Sequence, residues 1–480
     1  MNVFIILFSL ATLLQEGELV RFSANFDSGS LGEIKLIDSV WVRPSRTDSV
    51  LHLSYEVISR LDPYNPANPD LPPSGRWFYF LMENVKGKHI YLNFKNTDPK
   101  RAVYSYDGIN FERFPHYQAS MRKVSALFGQ DSVYIAYFIP YGWERLQERL
   151  THWTATEHVT MDTLGTSMLG FPIQMLTITD PGVPKEDKNT VWLHARVHPS
   201  ESPANWQLEG LLDRLTEDSA VAREYRRKGI FYVVPFTNPD GVYGGYSRSN
   251  ARGINQEINW DHPDSLTSVE VEALRRRMED LTQEHPFDLV LNMHAQSDDK
   301  ASYYIHTEES TSPEYHKRAM RLAYLTTDEN PYFFPEDMFY SSPAPRYVEG
   351  WLWNRTQGST LALTIEMPYF FYNEKPENEW VTLESLKENG TILLRAVSDY
   401  LGWDIPGRHI LKGTERRNKT VYRYPLLPAG AYNLYIWDNA WVLYDTYIKD
   451  RPAGFRYVIR SYNGRYRGPL RVSIRLHNTK

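Results

Sequence analysis

The chain has no cysteine. That excludes disulfides, a cysteine nucleophile, thiolate metal sites and a lipoprotein anchor, and it leaves the redox compartment open. Long apolar runs are also missing. Residues 3–14, within MNVFIILFSLATLL, form an apolar stretch too short to cross a bilayer as a helix, and no later run is long enough. The stretch fits the apolar region of a signal peptide, although a positive flank and a small-x-small cleavage site are lacking. Export to the periplasm or outside the cell is the expectation. Charge is not one-sided: the formal net charge of −6 over 480 residues gives no general pull toward nucleic acid. With 42% hydrophobic and 23% charged residues, the chain is globular and long enough for two or three domains.

Three composition patterns follow one another. Residues 21–141 hold short alternating or apolar runs (LHLSYEVI, RWFYFLMENV, HIYLNFKN, SVYIAYFIPY) separated by turn-rich pieces such as DPYNPANPDLPPSG. That spacing predicts an antiparallel β-sandwich, read as a packing or substrate-shaping module without a titratable cluster. From residue 143 to about 403, strands alternate with helical stretches. This predicts an α/β/α domain with a parallel or mixed sheet. Predicted helices cover 142–151, 203–216, 268–284 and 382–400; predicted strands cover 173–178, 191–197, 230–236, 287–293 and 361–365. From about 407 the pattern is β-like again, and fifteen Lys/Arg stand against four Asp/Glu. A solvated β-module explains that bias, and an acidic or polyanionic partner would also fit it. The expected layout is a signal peptide (1–17), a β-sandwich (18–142), a catalytic domain (143–404) and a basic β-rich module (405–480).

The chemistry gathers at strand ends. The run VWLHARV is followed by His198-Pro199-Ser200-Glu201, and Ser202 with Pro203 reads as the N-cap and first position of a helix. His198 and Glu201 thus occupy a loop between a strand's C-terminal end and a helix start, where open α/β sheets bind ligands. Imidazole plus carboxylate suits Zn²⁺, which needs a third protein ligand and one open position. His294, directly after another apolar strand, fits that third place. The same His-x-x-Glu spacing recurs at His306 and Glu309, which we read as a coincidence of composition. Glu366, between Ile365 and Met367, is a carboxylate in an apolar setting, suited to act as a base. Arg248, in the loop after Asn238-Pro239-Asp240-Gly241 (read as a turn), is the cation best placed to stabilise an oxyanion.

These motifs resemble the zinc carboxypeptidase family, and more narrowly its cytosolic-carboxypeptidase-like branch, over roughly residues 22–403. FSANFDSGSL, WFYF and AYFIPY are similar to the branch's N-terminal motifs. ARVHPSESPANW is similar to its first zinc-ligand motif, with Ser200 where Gly is usual. NPDGVYGGYSRSNARG, Asn292-Met293-His294 and Thr364-Ile365-Glu366 resemble the oxyanion-arginine, third-ligand and glutamate motifs. The resemblance implies one Zn²⁺ on His198, Glu201 and His294, Glu366 as base, Arg248 at the oxyanion, and a peptide or protein substrate. Family members carry Asn-Arg just before the aromatic at Trp260 and use it to hold the substrate's terminal carboxylate. Here Glu257 and Ile258 stand in those places. A Glu there suits an amine or amide end group better than an anion, unless Arg252, Arg346 or Arg355 substitutes. Tyr347 aligns loosely with the family's mobile substrate-binding tyrosine. The alternatives are an amidase or endopeptidase on cell-wall or C-terminally modified peptides, and a non-catalytic binding protein on the same fold.

Overall fold

The computed structural model describes residues 19–405 apart from 46–47, 68–71, 329, 335–336, 373–379 and 404, and beyond them only the strands between His409 and Leu476. The expected signal peptide lies outside the described residues. Among the described residues no helix is long and apolar enough to cross a membrane.

Among the described residues, ten strands precede the first helix: β1 (Arg21–Ser23), β2 (Ile34–Val42), β3 (Val50–Val57), β4 (Tyr79–Glu83), β5 (His89–Phe94), β6 (Val103–Ser105), β7 (Glu112–Arg113), β8 (Ala119–Ser120), β9 (Lys123–Leu127) and β10 (Ser132–Ala136). They form two five-stranded sheets, in the orders β1-β4-β10-β6-β7 and β2-β3-β5-β9-β8. Strict alternation in β3, with Leu51, Leu53, Tyr55 and Val57 buried, turns one face of its sheet into the core. Phe22 of β1 meets Tyr55 of β3 at 5.0 Å, edge to face, joining the two sheets. The expectation of a purely antiparallel arrangement needs correction: β3 and β5 pair in parallel. They are separated in sequence by β4, which belongs to the other sheet, so the chain crosses over and returns in the same direction.

The next region contains eight strands: β11 (Val159–Thr166), β12 (Pro172–Ile178), β13 (Asn189–Ala195), β14 (Gly229–Val234), β15 (Leu289–Gln296), β16 (Ser302–His306), β17 (Phe339–Ser341) and β18 (Leu361–Pro368). They form one mixed sheet, ordered β11-β12-β14-β13-β15-β18-β16-β17. Its centre, β14-β13-β15-β18, is parallel, and β12 and β16 join antiparallel. The central strands are buried almost end to end, as a sheet covered on both faces requires. The helices are α1 (Trp143–Trp153), α2 (Ser202–Thr216), α3 (Ala220–Lys228), α4 (Pro239–Gly244), α5 (Val269–Glu284), α6 (Pro313–Thr327), α7 (Val348–Thr356) and α8 (Leu383–Leu401). The Asn-Pro-Asp-Gly segment is not a free turn: Asn238 caps α4 by accepting from the Gly241 N–H, and Pro239 takes the first helical position. After residue 405, seven strands between His409 and Leu476 pair into sheets of four and three.

Helix α2 carries the site at its N-terminus, and its position is set by backbone contact with α8. A Cβ on Gly390 would stand 1.9 Å from the Gln207 carbonyl oxygen, and one on Gly210 would stand 2.1 Å from that of Lys387. Neither obstacle is a flexible side chain, so the helices must part to admit a methyl group. We therefore expect Gly390→Ala to cost about 1–3 kcal/mol by overpacking, read as a lower denaturant midpoint. An unchanged midpoint would show that the α2–α8 contact is loose.

Candidate active site

The site begins where β13 ends. Arg196 adopts a left-handed backbone (φ 59°), an uncommon conformation for a residue with a side chain. Its buried guanidinium donates to the carbonyls of Pro199 (2.9 Å) and Tyr141 (2.9 Å) and to Asn205 Oδ1 (3.2 Å). Those bonds offset a backbone cost of about 1–2 kcal/mol and bend the chain so that residues 198–201 curl over the strand end. Burial lowers the Arg196 pKa to about 10, which leaves it charged at neutral pH. The helix N-cap is Glu201, not Ser202 as expected; the Ser202 hydroxyl donates to the Ile139 carbonyl instead.

Three buried donors converge there. His198 Nδ1 and His294 Nδ1 each lie 2.8 Å from one oxygen of the Glu201 carboxylate, and the Ala295 N–H donates to the same group at 3.0 Å. One ligand atom from each of the three residues falls within 4.8 Å of the others. Among the described residues this is the one such group of three or more, and His306 is outside it. Two imidazole nitrogens and a carboxylate oxygen, buried and converging, fit Zn²⁺. His294 and Glu366 lie inside β15 and β18 rather than after them, and they face each other as register partners across the parallel pair. Oε2 of Glu366 is buried without a hydrogen-bond partner. Burial, then the negative charges of Glu201 and Glu257, push the Glu366 pKa well above its ordinary value, against Arg248 and Arg76.

Glu257 reaches into this cluster. Its Oε2 is 3.0 Å from Arg248 Nη2 and 3.1 Å from His198 Nε2, and Asn255 Oδ1 is 3.2 Å from the same ring nitrogen. Burial opposes ionisation of Glu257, but His198 outweighs it and holds the carboxyl down at about 2. Burial likewise opposes the His198 charge, yet Glu201 and Glu257 raise its pKa to about 9. Oxygen acceptors on the outer nitrogen of a metal-binding histidine fix its tautomer and orientation.

Residues 150–375 match the sequence model of the zinc carboxypeptidase family. A protein of Zymomonas mobilis is 31% identical over 230 residues, 46% of this chain and 58% of that one. Mouse cytosolic carboxypeptidase 6 is 27% identical over 272 residues, 51% of this chain and 47% of that one. The chain thus spans about half the length of these curated relatives. Among solved structures, a metallo-carboxypeptidase from Burkholderia cenocepacia superposes with a TM-score of 0.65 and 25% identity, covering 80% of this chain and 99% of that one. Residues 150–375 belong to the zinc carboxypeptidase family.

Within this carboxypeptidase domain, the residues expected to replace the missing clamp are dispersed. Arg355 is paired with Glu279 (3.4 Å) and stacked on Trp351. Arg346 is exposed and lies over Tyr347, which starts α7. Arg252 is exposed on the wall of a cleft of about 530 Å³. Pro63, Pro72 and Pro73 line one side of that cleft, and Arg248, Ile258 and Leu266 line the other.

The N-terminal sheets, expected to be a packing or substrate-shaping module, are bonded directly to the Arg248 loop. Asp62, buried in the loop after β3, accepts from three consecutive backbone N–H groups, those of Ser247 (2.6 Å), Arg248 (2.7 Å) and Ser249 (3.0 Å). Arg76, just before β4, lies in the field of Tyr369, Tyr137, Glu201 and Asp98. Burial disfavours its charge, but these neighbours outweigh burial and raise its pKa. No periodicity marks either residue. The one sequence signal is their place at the two ends of the proline-rich segment that precedes WFYF.

Removing the Asp62 carboxylate would leave three buried donors unpaired, each at about 1–3 kcal/mol before relaxation. We expect Asp62→Ala to lower both stability and kcat while zinc content holds, because no metal-cluster residue bonds to Asp62. Loss of zinc in that variant would show that the loop supports the metal cluster itself.

Proposed function

We propose that the protein is a zinc-dependent hydrolase of peptide or amide bonds, of the carboxypeptidase type, with Zn²⁺ held by His198, Glu201 and His294. The observation that carries this reading is the convergence of those three donors beside Glu366, whose Oε2 has no partner of its own. Zinc supplies Lewis acidity that polarises the scissile carbonyl and lowers the pKa of water.

The chain's own residues do the rest. Glu366 removes a proton from the attacking water, whose oxygen bonds to the carbonyl carbon. As the C–N bond breaks, the same carboxyl delivers that proton to the leaving nitrogen, so one side chain is base and then acid. A dication bound close by would bring that raised pKa down, toward the range a base needs. Arg248 supplies positive charge to the tetrahedral oxyanion, with its loop fixed by Asp62. Arg248 shares that charge with Glu257, while its side chain remains 40% exposed and open to substrate.

A second reading keeps this chemistry and changes the substrate. Glu257 beside Arg248 places a negative charge where the family holds a terminal carboxylate, which favours an amidase or endopeptidase acting on capped or internal bonds. Export rests on residues 1–17 alone, and a polyanionic partner rests on the excess of Lys and Arg after residue 405.

The protein should carry one Zn²⁺ per chain and lose activity to a chelator, and His294→Ala should lose both metal and activity. His306→Ala should retain zinc. Full zinc occupancy in His294→Ala would sink the ligand assignment.

Glu366→Gln should retain zinc and lose turnover by roughly 10²–10⁴-fold, the span of general acid–base catalysis. Arg248→Ala should also keep zinc, with the loss mainly in kcat. Near-normal turnover in Glu366→Gln would mean that another group is the base.

A further inference from the structure

We propose that Arg76 binds a carboxylate of the substrate, so that the N-terminal sheets supply the cation missing at positions 257 and 258. The proposal rests on the hydrolase reading above and adds a substrate-recognising residue to it.

The peptide unit that follows Arg76 is held from two directions, by the N-terminal sheets and by the Arg248 loop. Thr97 Oγ1 donates to the Arg76 carbonyl at 2.6 Å, and the Trp77 N–H donates to Ser247 Oγ at 3.0 Å, one residue before Arg248. The Asp62 N–H donates to the Ser74 carbonyl at 2.8 Å, closing the base of the segment that carries both Asp62 and Arg76. One end of that segment grips the Arg248 loop through Asp62, and the other meets Ser247 of the same loop through Trp77, with the Arg76 charge acting on Glu201 and Glu366.

The side chain has no fixed partner there. Among the described residues the Arg76 guanidinium makes no hydrogen bond and no ion pair, although Glu201 and Glu366 both feel its charge. A guanidinium offers five donors and accepts nothing, and those of Arg76, half-buried and not sealed from solvent, remain open to a bound acceptor. A carboxylate supplies two acceptors in matching geometry.

The other arginines near the cleft are engaged or turned outward. Arg248 is held by Glu257, Arg355 by Glu279, and Arg196 by backbone carbonyls and Asn205. Arg113 donates to the carbonyls of Arg101, Tyr369 and Val381. Arg252 and Arg346 are exposed. The Tyr137 hydroxyl near Arg76 is buried without a partner, a further polar group available to a bound anion. The carboxylate could be the terminal one or that of an acidic side chain. Both present the same fork of oxygens.

Two peptide pairs test this on the full-length, zinc-loaded protein. The first is N-acyl-Ala-Phe as free acid against its amide. The second is N-acyl-Glu-Phe amide against N-acyl-Gln-Phe amide. Wild type should favour the carboxylate member of at least one pair by tenfold or more in kcat/KM. Arg76→Gln should bring that ratio to within twofold while keeping zinc, and Arg76→Lys should restore part of it. The pair that responds identifies the source of the carboxylate.

The proposal is overturned if wild type shows no preference in either pair. It is also overturned if Arg76→Gln slows all four peptides equally. Should Arg76→Gln fail to fold, Arg76→Lys decides: a threefold or greater loss confined to the carboxylate member supports the assignment, and an unchanged ratio overturns it. If the zinc-loaded wild type cleaves none of the four, the hydrolase reading fails instead. Calorimetric binding of the same four peptides then judges Arg76 by the same ratios.

Discussion

One buried carboxylate holds the centre of this molecule together. Glu201 faces two imidazoles at 2.8 Å each and takes a backbone N–H from β15. Three polar side chains at 3% exposure or less could not be withdrawn from water without such mutual pairing, since isolated buried charges cost several kcal/mol each. The pairing also fixes a geometric demand. The loop after β13 must bend toward the end of β15, and α2 must begin at Glu201. The Arg196 bend meets that demand just before α2 begins, and the glycine contact with α8 meets it at the middle of the helix.

The parts of this arrangement that were readable in the sequence are local. His198 and Glu201 stand between an apolar strand and a proline-started helix, and His294 and Glu366 sit in apolar runs, so a strand-end reading found them. Their placement was one step off: β15 and β18 continue through His294 and Glu366 because neighbouring strands still offer hydrogen bonds there. Ser202 does not cap α2 as its local pattern suggests, because its hydroxyl finds the Ile139 carbonyl, a partner more than sixty residues away. Arg196 was invisible for a related reason. Its left-handed backbone is sustained by carbonyl acceptors that no local pattern shows.

Glu257 was legible as a departure and illegible in its consequence. From sequence it is an acid where a cation was expected. In space it closes a short chain of charge, from Arg248 through its carboxylate to His198. The same group therefore offsets part of the Arg248 charge and orients the His198 ring. An acid at this position therefore acts on two neighbours at once, and the fold accommodates it because Arg248 and His198 stand on either side of the carboxylate.

The N-terminal sheets are bonded into the site, and this follows from how the Arg248 loop satisfies its backbone. Residues 247–249 follow a six-residue helix and pair with no strand, so their N–H groups need acceptors from elsewhere. Asp62 supplies all three, the Trp77 N–H binds the Ser247 hydroxyl, and the Ser28 N–H binds the Tyr243 carbonyl near the end of α4. Arg113 of β7 reaches the Tyr369 and Val381 carbonyls, which lie after β18 and before α8. Contacts of this kind use backbone and buried carboxylate rather than exposed ion pairs, and they do not weaken with salt as surface pairs do. The first domain therefore sets the position of Arg248 as firmly as the catalytic sheet sets that of His294, and the cleft between them is a product of both.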